Sequence, residues 1–322
     1  MDSDTIKKLF KLGVIAPTAL LAMQAAAQTS ATQLATGQYI TPTVIPGSVQ
    51  QPLNPGLPLY PNFVAGEAVK SQLSPDGTTL AIICAGQNSL DNAAGSLDVA
   101  NSTQYIFLYN VAGANKAKPA LTQVIQQTNA HVGLVFSPDG NTLYAAGGND
   151  DAVYVYNKSG GTFIMPGMQI PLGHSHKGVG LLGVQPNASG LGISADGKTL
   201  VVVNNYNDSI SVIDTATKTV RYEYDLRPYN TTPATGNGQP GGTYPFGVVV
   251  KSNGTTAYVS SDRDREIVVV DISSAASGNL IARIPLDGNG LGMTLDASQS
   301  KLYVAQDNAD QVAVIDTTTN TI

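Results

Sequence analysis

The chain has 322 residues, a formal net charge of −6, 12% charged and 42% hydrophobic residues, 33 glycines, 18 prolines and one cysteine. That apolar fraction supplies a core and excludes disorder over most of the length, while the acidic balance, with no Lys/Arg cluster, excludes a phosphate-binding stripe for nucleic acid. So many turn formers beside so few charges favour short strands joined by tight turns.

The first segment reads as a targeting signal rather than as structure. Lys7, Lys8 and Lys11 lead into an apolar stretch from Leu12 to Met23, and Ala25, Ala26 and Ala27 precede Gln28, the pattern of a secretory signal peptide cleaved after Ala27. The stretch is too short to span a bilayer comfortably and Pro17 interrupts it, so no membrane span is expected after cleavage. Removing three lysines and two aspartates leaves −6 − 3 + 2 = −7, and the expected location is periplasmic or extracellular. Residues 28 to 65, rich in Pro, Gly, Thr and Gln, read as an extended lead-in. Cys84 lies in the apolar run Leu80 to Ala85 and reads as a small buried hydrophobe, not a nucleophile. The absence of C-x-x-C-H rules out covalent c-type haem.

From residue 66 onward the chain repeats. Ser74-Pro75-Asp76-Gly77, Ser137-Pro138-Asp139-Gly140, Ser194-Ala195-Asp196-Gly197 and Lys251-Ser252-Asn253-Gly254 are matching turns, with a degenerate fifth at Ala297-Ser298-Gln299. Each precedes an apolar strand, from Thr79, Thr142, Thr199, Thr256 and Lys301, and a second strand then ends at Asn110, Asn157, Asp214, Asp271 and Asp316. From the fourth turn residue to that end the gap is 157 − 140 = 17, 214 − 197 = 17, 271 − 254 = 17 and 316 − 299 = 17, with 110 − 77 = 33 only in the first copy. Proline presets φ for the first corner and glycine supplies the positive φ that sends the chain back as an antiparallel strand. With another turn and strand after each end residue, every unit reads as four short antiparallel strands. Such a sheet cannot bury both faces alone, and radial stacking hides them. The expected fold is therefore an all-β propeller of four-stranded blades, five of them visible.

Val201 to Asp214, Ala257 to Asp271 and Leu302 to Asp316 resemble the YVTN-type repeat, with Tyr303-Val304-Ala305-Gln306 nearest to its signature. The resemblance covers about residues 66 to 322 and implies a seven-bladed ring, of which this chain would be an N-terminal part. Gly66-Glu67-Ala68-Val69, Leu73 to Gly77, Gln104 to Tyr109 and Gly133 to Gly140 further resemble bacterial exported proteins in which such a propeller leads into an alkaline-phosphatase-like phosphoesterase domain. The metal and nucleophile residues of that domain have no counterpart in this sequence.

In a four-stranded blade the connections from strand two to three, and from strand four to the next blade, emerge on one face. Three long insertions, Gln87 to Thr103, Gly167 to Gly190 and Arg227 to Pro245, fall in that class and mark the face as the recognition surface. Its candidate binding residues are Asn149, Asp150, His174, His176, Lys177, Asn205, Tyr206, Asn207, Asp208, Arg227, Tyr229, Tyr244, Asp262, Arg263, Asp264, Arg265, Asp307 and Asn308. A ring of Asn, Asp and Tyr suits a protein, peptide or carbohydrate ligand. Many of the Asn and Asp serve the competing role of satisfying tight turns. His174 and His176 lack a third metal ligand at readable spacing, so they read as an exposed polar loop, and His131 reads as a structural histidine. With no G-x-S-x-G, phosphate-binding glycine loop or H-E-x-x-H, neither a catalytic set nor a cofactor nor a metal is expected. The function expected first is a binding or scaffolding module, then a propeller preceding a phosphoesterase domain, then a lactonase-like propeller enzyme, for which no charged group can be placed in a central channel.

Overall fold

The computed structural model describes residues 32–33, 39–40, 51–174, 187–228 and 243–322. The signal-peptide expectation at residues 1–27 therefore lies outside the described residues. The chain divides into two compact units, Met1–Pro52 with Val111–Ala120, and Leu53–Asn110 with Leu121–Ile322. In the first, β1 (Thr32–Gln33) pairs antiparallel with β2 (Tyr39–Ile40), and a single 3₁₀ turn spans Gly113–Lys116.

The second unit is a row of five small antiparallel sheets, the blades of a propeller. Blade 1 runs β3 (Ala68–Leu73), β4 (Thr79–Cys84), β5 (Gln104–Asn110) and β6 (Ala120–Gln127). In blade 2, β7 (Leu134–Phe136), β8 (Thr142–Ala146) and β9 (Ala152–Ser159) are followed by β10 (Thr162–Phe163) and β11 (Met168–Pro171), both paired with β9. Blade 3 comprises β12 (Ala188–Ile193), β13 (Thr199–Asn204), β14 (Ser209–Asp214) and β15 (Thr219–Asp225). Blade 4 comprises β16 (Pro245–Val250), β17 (Thr256–Ser261), β18 (Glu266–Asp271) and β19 (Asn279–Pro285). Blade 5 has three strands, β20 (Gly290–Leu295), β21 (Lys301–Gln306) and β22 (Gln311–Asp316), with a bridge between Asp316 and Thr321 where a fourth would begin, so only blade 2, with its extra β10, departs from the expected pattern. The insertion read as Gly167 to Gly190 is also shorter, because β11 and the start of β12 take its two ends.

The repeated turn works through its side chains. Ser74 Oγ donates to Asp76 Oδ1 (2.6 Å) and accepts from the Thr79 amide (2.9 Å), the Thr78 amide donates to Asp76 Oδ1 (3.0 Å), and Gly77 takes φ +69°. Gly140, Gly197 and Gly254 repeat that φ at +71°, +72° and +70°. In the degenerate fifth turn Gln299 must adopt it at +59°.

The middle strands β5, β8, β13, β14, β17 and β18 are buried along nearly their whole length, as strands covered on both faces are, whereas burial alternates along β21 and β22, and each seam between blades holds its own core. Ile83, Ile106 and Leu108 of blade 1 meet Leu134, Leu143 and Tyr156 of blade 2. Three further clusters join blades 2 and 3, 3 and 4, and 4 and 5. Each fully buried aliphatic contributes roughly 1.5–3 kcal/mol, so every seam is a substantial term. The innermost strands β7, β12 and β16 come so close that only glycine fits: a Cβ on Gly133 would stand 2.2 Å from Ser189 O, and one on Gly190 2.5 Å from Phe246 O. These two, with Gly247 and Gly292, precede the fourth turn residue by the same step, 140 − 133 = 197 − 190 = 254 − 247 = 299 − 292 = 7. In blade 1 that step, 77 − 7 = 70, falls on Lys70. Cys84 is buried, and burial pushes its thiol up to about 11, as expected of a packing residue.

Candidate functional site

Successive turns of an antiparallel sheet alternate between its two ends. The strand two to three turns at 147–151, 205–208, 262–265 and 307–310 therefore share a face with residues 172–174 and 187 and with 226–228 and 243–244, the described ends of the connections into the next blades. On this face the last residue of each short turn takes a left-handed φ: Asp151 +51°, Asp208 +53°, Arg265 +52° and Asp310 +50°. Aspartate tolerates that region better than most residues, which accounts for the acidic character of these turns without a ligand.

Several candidates are built into the scaffold. Asp208 is buried, and its Oδ1 accepts from Thr243 Oγ1 (3.1 Å) and the Tyr244 amide (2.9 Å). Asn205 is buried and donates to Pro245 O (2.8 Å). Asn207 donates to Glu223 Oε1, and Arg227 forms an ion pair with Asp225. Asp150 accepts from Asn129 (2.7 Å) and Tyr154 (2.6 Å), and Asn308 Oδ1 accepts the Asn289 amide (2.9 Å). His174 is not the exposed loop residue expected: it is 5% exposed, because Asp151 Oδ1 lies 2.7 Å from Nδ1 and Glu223 Oε1 lies 3.1 Å from Nε2. Burial pulls its imidazole down, but the two carboxylates outweigh burial and hold it at about 9. His174 thus ties the blade 2 turn to β15 of blade 3. His131, read as a structural histidine, is half-buried with Nδ1 2.9 Å from Ser189 Oγ. His176, Lys177 and Tyr229 lie outside the described residues. Among the described residues no three His, Cys, Asp or Glu side chains are placed to hold a metal.

Five of the exposed candidates, Tyr206, Tyr244, Arg263, Asp264 and Arg265, gather between blades 3 and 4. Tyr206 and Tyr244 are 41% and 39% exposed and meet edge to face with centroids 5.7 Å apart, and the Arg263 guanidinium lies 5.7 Å from the Tyr244 centroid. Tyr244 is held at φ +44°, a rare position for a bulky residue, by its amide on Asp208 and by the Asp262 amide on its carbonyl (3.1 Å). Its Cα–Cβ bond is therefore fixed in direction, and the ring remains open to solvent. Asp264 and Arg265 flank this group and are exposed, Asp262 is half-buried, and Asn149, Asp307 and Asn308 are exposed in other blades. Sequence reasoning missed Glu223, which no turn or motif marks. It also missed Lys70, which the glycine spacing would have revealed.

No protein-family model matches the sequence, and no curated protein matches it either. Solved structures do. A functionally unknown protein from Desulfotomaculum acetoxidans aligns at 16% identity over 77% of this chain and 68% of its own, with a TM-score of 0.54. The "putative 6-phosphogluconolactonase" of Bacteroides fragilis aligns at 15% identity over 80% and 69%, with a TM-score of 0.58. A Lactobacillus plantarum protein aligns at 13% over 79% and 68%, with a TM-score of 0.56. The likeness is one of fold.

Proposed function

We propose that this chain is an exported binding module that recognises a carbohydrate or peptide on its loop-bearing face. The observation that carries the reading is the Tyr206–Tyr244–Arg263 group, two exposed rings and a guanidinium on a backbone held in a strained conformation. Fixed aromatic surface beside hydrogen-bonding side chains is what such ligands require, and aromatic and Arg anchors dominate recognition energies. The test is a screen of the intact chain against glycan and peptide arrays, followed by Tyr206→Ala and Tyr244→Gly. The glycine relieves the backbone while removing the ring. Each variant is expected to weaken any ligand found by about 30-fold, from ~2 kcal/mol for an anchor residue. Unchanged binding in both variants refutes the reading.

A second reading rests on the lactonase name of the Bacteroides fragilis structure and on the polar side chains Lys70, His131 and Ser189 on innermost or adjoining segments. Hydrolysis of sugar lactones by the purified chain, lost in Lys70→Met, supports it, and its absence disposes of it. The finer reading of the fold, five blades of a seven-bladed ring with a phosphoesterase domain in the same protein, belongs to this proposal and rests on the repeat resemblance alone.

A further inference from the structure

Beside the two exposed tyrosines the blade 4 turn reads Asp262-Arg263-Asp264-Arg265, four charges of alternating sign that sum to zero. Its backbone is held: the Asp262 amide donates to Tyr244 O (3.1 Å), the Arg263 amide donates to Thr243 O (3.2 Å), and Arg265 O accepts the Leu286 amide (2.7 Å). Its side chains are uncommitted. Among the described residues none of the four makes a side-chain hydrogen bond or ion pair, and Arg263 has only the Tyr244 ring beside it. The corresponding turns of blades 2 and 3 use similar residues to build the scaffold, Asp150 with Asn129 and Tyr154, Asn207 with Glu223, and Asp208 with Thr243. Polar groups with no structural partner, on a backbone that is held, are what a ligand can use.

The rings narrow the choice of ligand. Tyr206 and Tyr244 stand at 74° to one another and form a corner rather than a flat strip. Tyr244 already carries the Arg263 guanidinium, whereas among the described residues no cation lies over Tyr206, which keeps a face for a ligand. That face is the negative part of the ring quadrupole and attracts C–H groups polarised by neighbouring oxygens. No Leu, Ile, Val or Met is exposed in turns 205–208 and 262–265 or at residues 226–228 and 243–244, and these segments are turns rather than a strand edge. A peptide anchored by aliphatic side chains or by strand pairing therefore finds neither partner here. A turn with no excess of either sign gives no preference for a charged ligand. Hydroxyl groups, each of which both donates and accepts, match alternating carboxylates and guanidinium groups.

Resting on the reading of this face as a recognition surface, we infer that its ligand is a neutral sugar, a pyranose whose C–H face lies on Tyr206 and whose adjacent hydroxyls bridge Arg263, the donor, and Asp264, the acceptor. Asp264 is then the residue that sets specificity. Its carboxylate repels an acidic sugar, and it is left without a donor by a sugar that lacks the hydroxyl.

The test titrates the intact chain with neutral gluco-, galacto- and manno-oligosaccharides, with the matching uronate oligosaccharides, and with a random peptide pool. A neutral oligosaccharide is expected to bind, with an affinity that salt changes little because no charges meet. Asp264→Asn, which keeps the shape of the side chain on an exposed turn, is expected to weaken it about tenfold, the loss of one hydrogen bond to a charged group. Deoxy versions of the same sugar locate the contact: at one position the missing hydroxyl costs the parent chain about tenfold and costs Asp264→Asn nothing further. Preference for the uronate or the peptide, with binding lost in Tyr206→Ala, overturns the inference and leaves the recognition surface standing. A neutral sugar that Asp264→Asn binds as well as the parent does the same. Binding of none of the three, or sugar binding indifferent to both Tyr206→Ala and Tyr244→Gly, overturns the inference and the recognition surface together.

Discussion

Replacing Gly133 by alanine places a methyl group 2.2 Å from Ser189 O, 2.7 Å from Ala146 Cβ and 2.7 Å from Leu191 Cγ. Ordinary contact begins near 3.4 Å, so the carbonyl of the neighbouring innermost strand has to retreat by 3.4 − 2.2 = 1.2 Å. Overpacking commonly costs 1–3 kcal/mol. Here the obstructing atom is backbone held in a sheet, so the cost is at the upper end, about 3 kcal/mol. At roughly 2–4 °C per kcal/mol for a domain of this size, the thermal midpoint falls by about 6–12 °C. Gly292 occupies the same place in blade 5 with nothing nearer than 3.9 Å, so Gly292→Ala loses only chain entropy of the unfolded state and is neutral or stabilising by about 0.4–1 kcal/mol. Urea titrations of both variants followed by circular dichroism measure the difference. If the two midpoints lie within about 1 kcal/mol of each other, the backbone-to-backbone packing of the innermost strands is not what selects glycine.

The histidine clasp gives an alkaline signature: because His174 is raised to about 9 from near 6.5, its stabilising contribution is complete below pH ~6.5 and is lost as pH rises through about 9. His174→Gln removes that loss, and stability measured between pH 6 and 10 reports it. The turn aspartates act in the opposite direction. The Ser74 hydroxyl first and then Thr78 hold Asp76 at about 2, and Lys301 first and then backbone amides hold Asp316 there, so their stabilisation is present above pH ~4 and is lost as pH falls through about 2. Acid titration of Asp76→Asn against the parent measures the difference. Lys218 sits at φ +58°, where Gly or Asn fits better, and no side-chain partner holds it there among the described residues. Lys218→Gly is expected to raise stability by up to about 1 kcal/mol, and a fall of that size in a denaturant titration refutes the strain argument.

The fold was legible wherever local chemistry sets it. Ser-Pro-Asp-Gly and its variants mark the strand one to two turns because the hydroxyl, the carboxylate and the positive-φ glycine act within six residues of chain. The strand β11 was not legible: Met168–Pro171 is short, ends in proline and lies at a sheet edge, so it carries neither alternation nor a turn signal. The site was legible only as a face. His174 meets Glu223 and Tyr206 meets Tyr244 across blades, at separations of 49 and 38 residues (223 − 174 and 244 − 206), and no local pattern specifies such pairs. The Asn and Asp read as ligand candidates divide by burial. Asn205 and Asp208 turn inward to serve the backbone, whereas Asn149, Asp264, Asp307 and Asn308 stay exposed, Asp264 beside the Tyr206–Tyr244–Arg263 group and the others in blades 2 and 5.

The strand one to two and three to four turns emerge opposite the loop face, and seven of them carry an aspartate held below the usual carboxylate range by hydrogen bonds at the turn or, for Asp316, first by Lys301: Asp76, Asp139, Asp196, Asp214, Asp271, Asp296 and Asp316. These groups stay ionised in acid strong enough to neutralise ordinary carboxylates. At the same end stand Lys158, Lys198, Lys218, Arg221, Lys251 and Lys301, of which Lys198, Arg221 and Lys301 pair with Asp196, Asp214 and Asp316. As acid neutralises the ordinary carboxylates elsewhere, this end keeps both signs of charge in balance, and its turns are the last part of the propeller to feel the change.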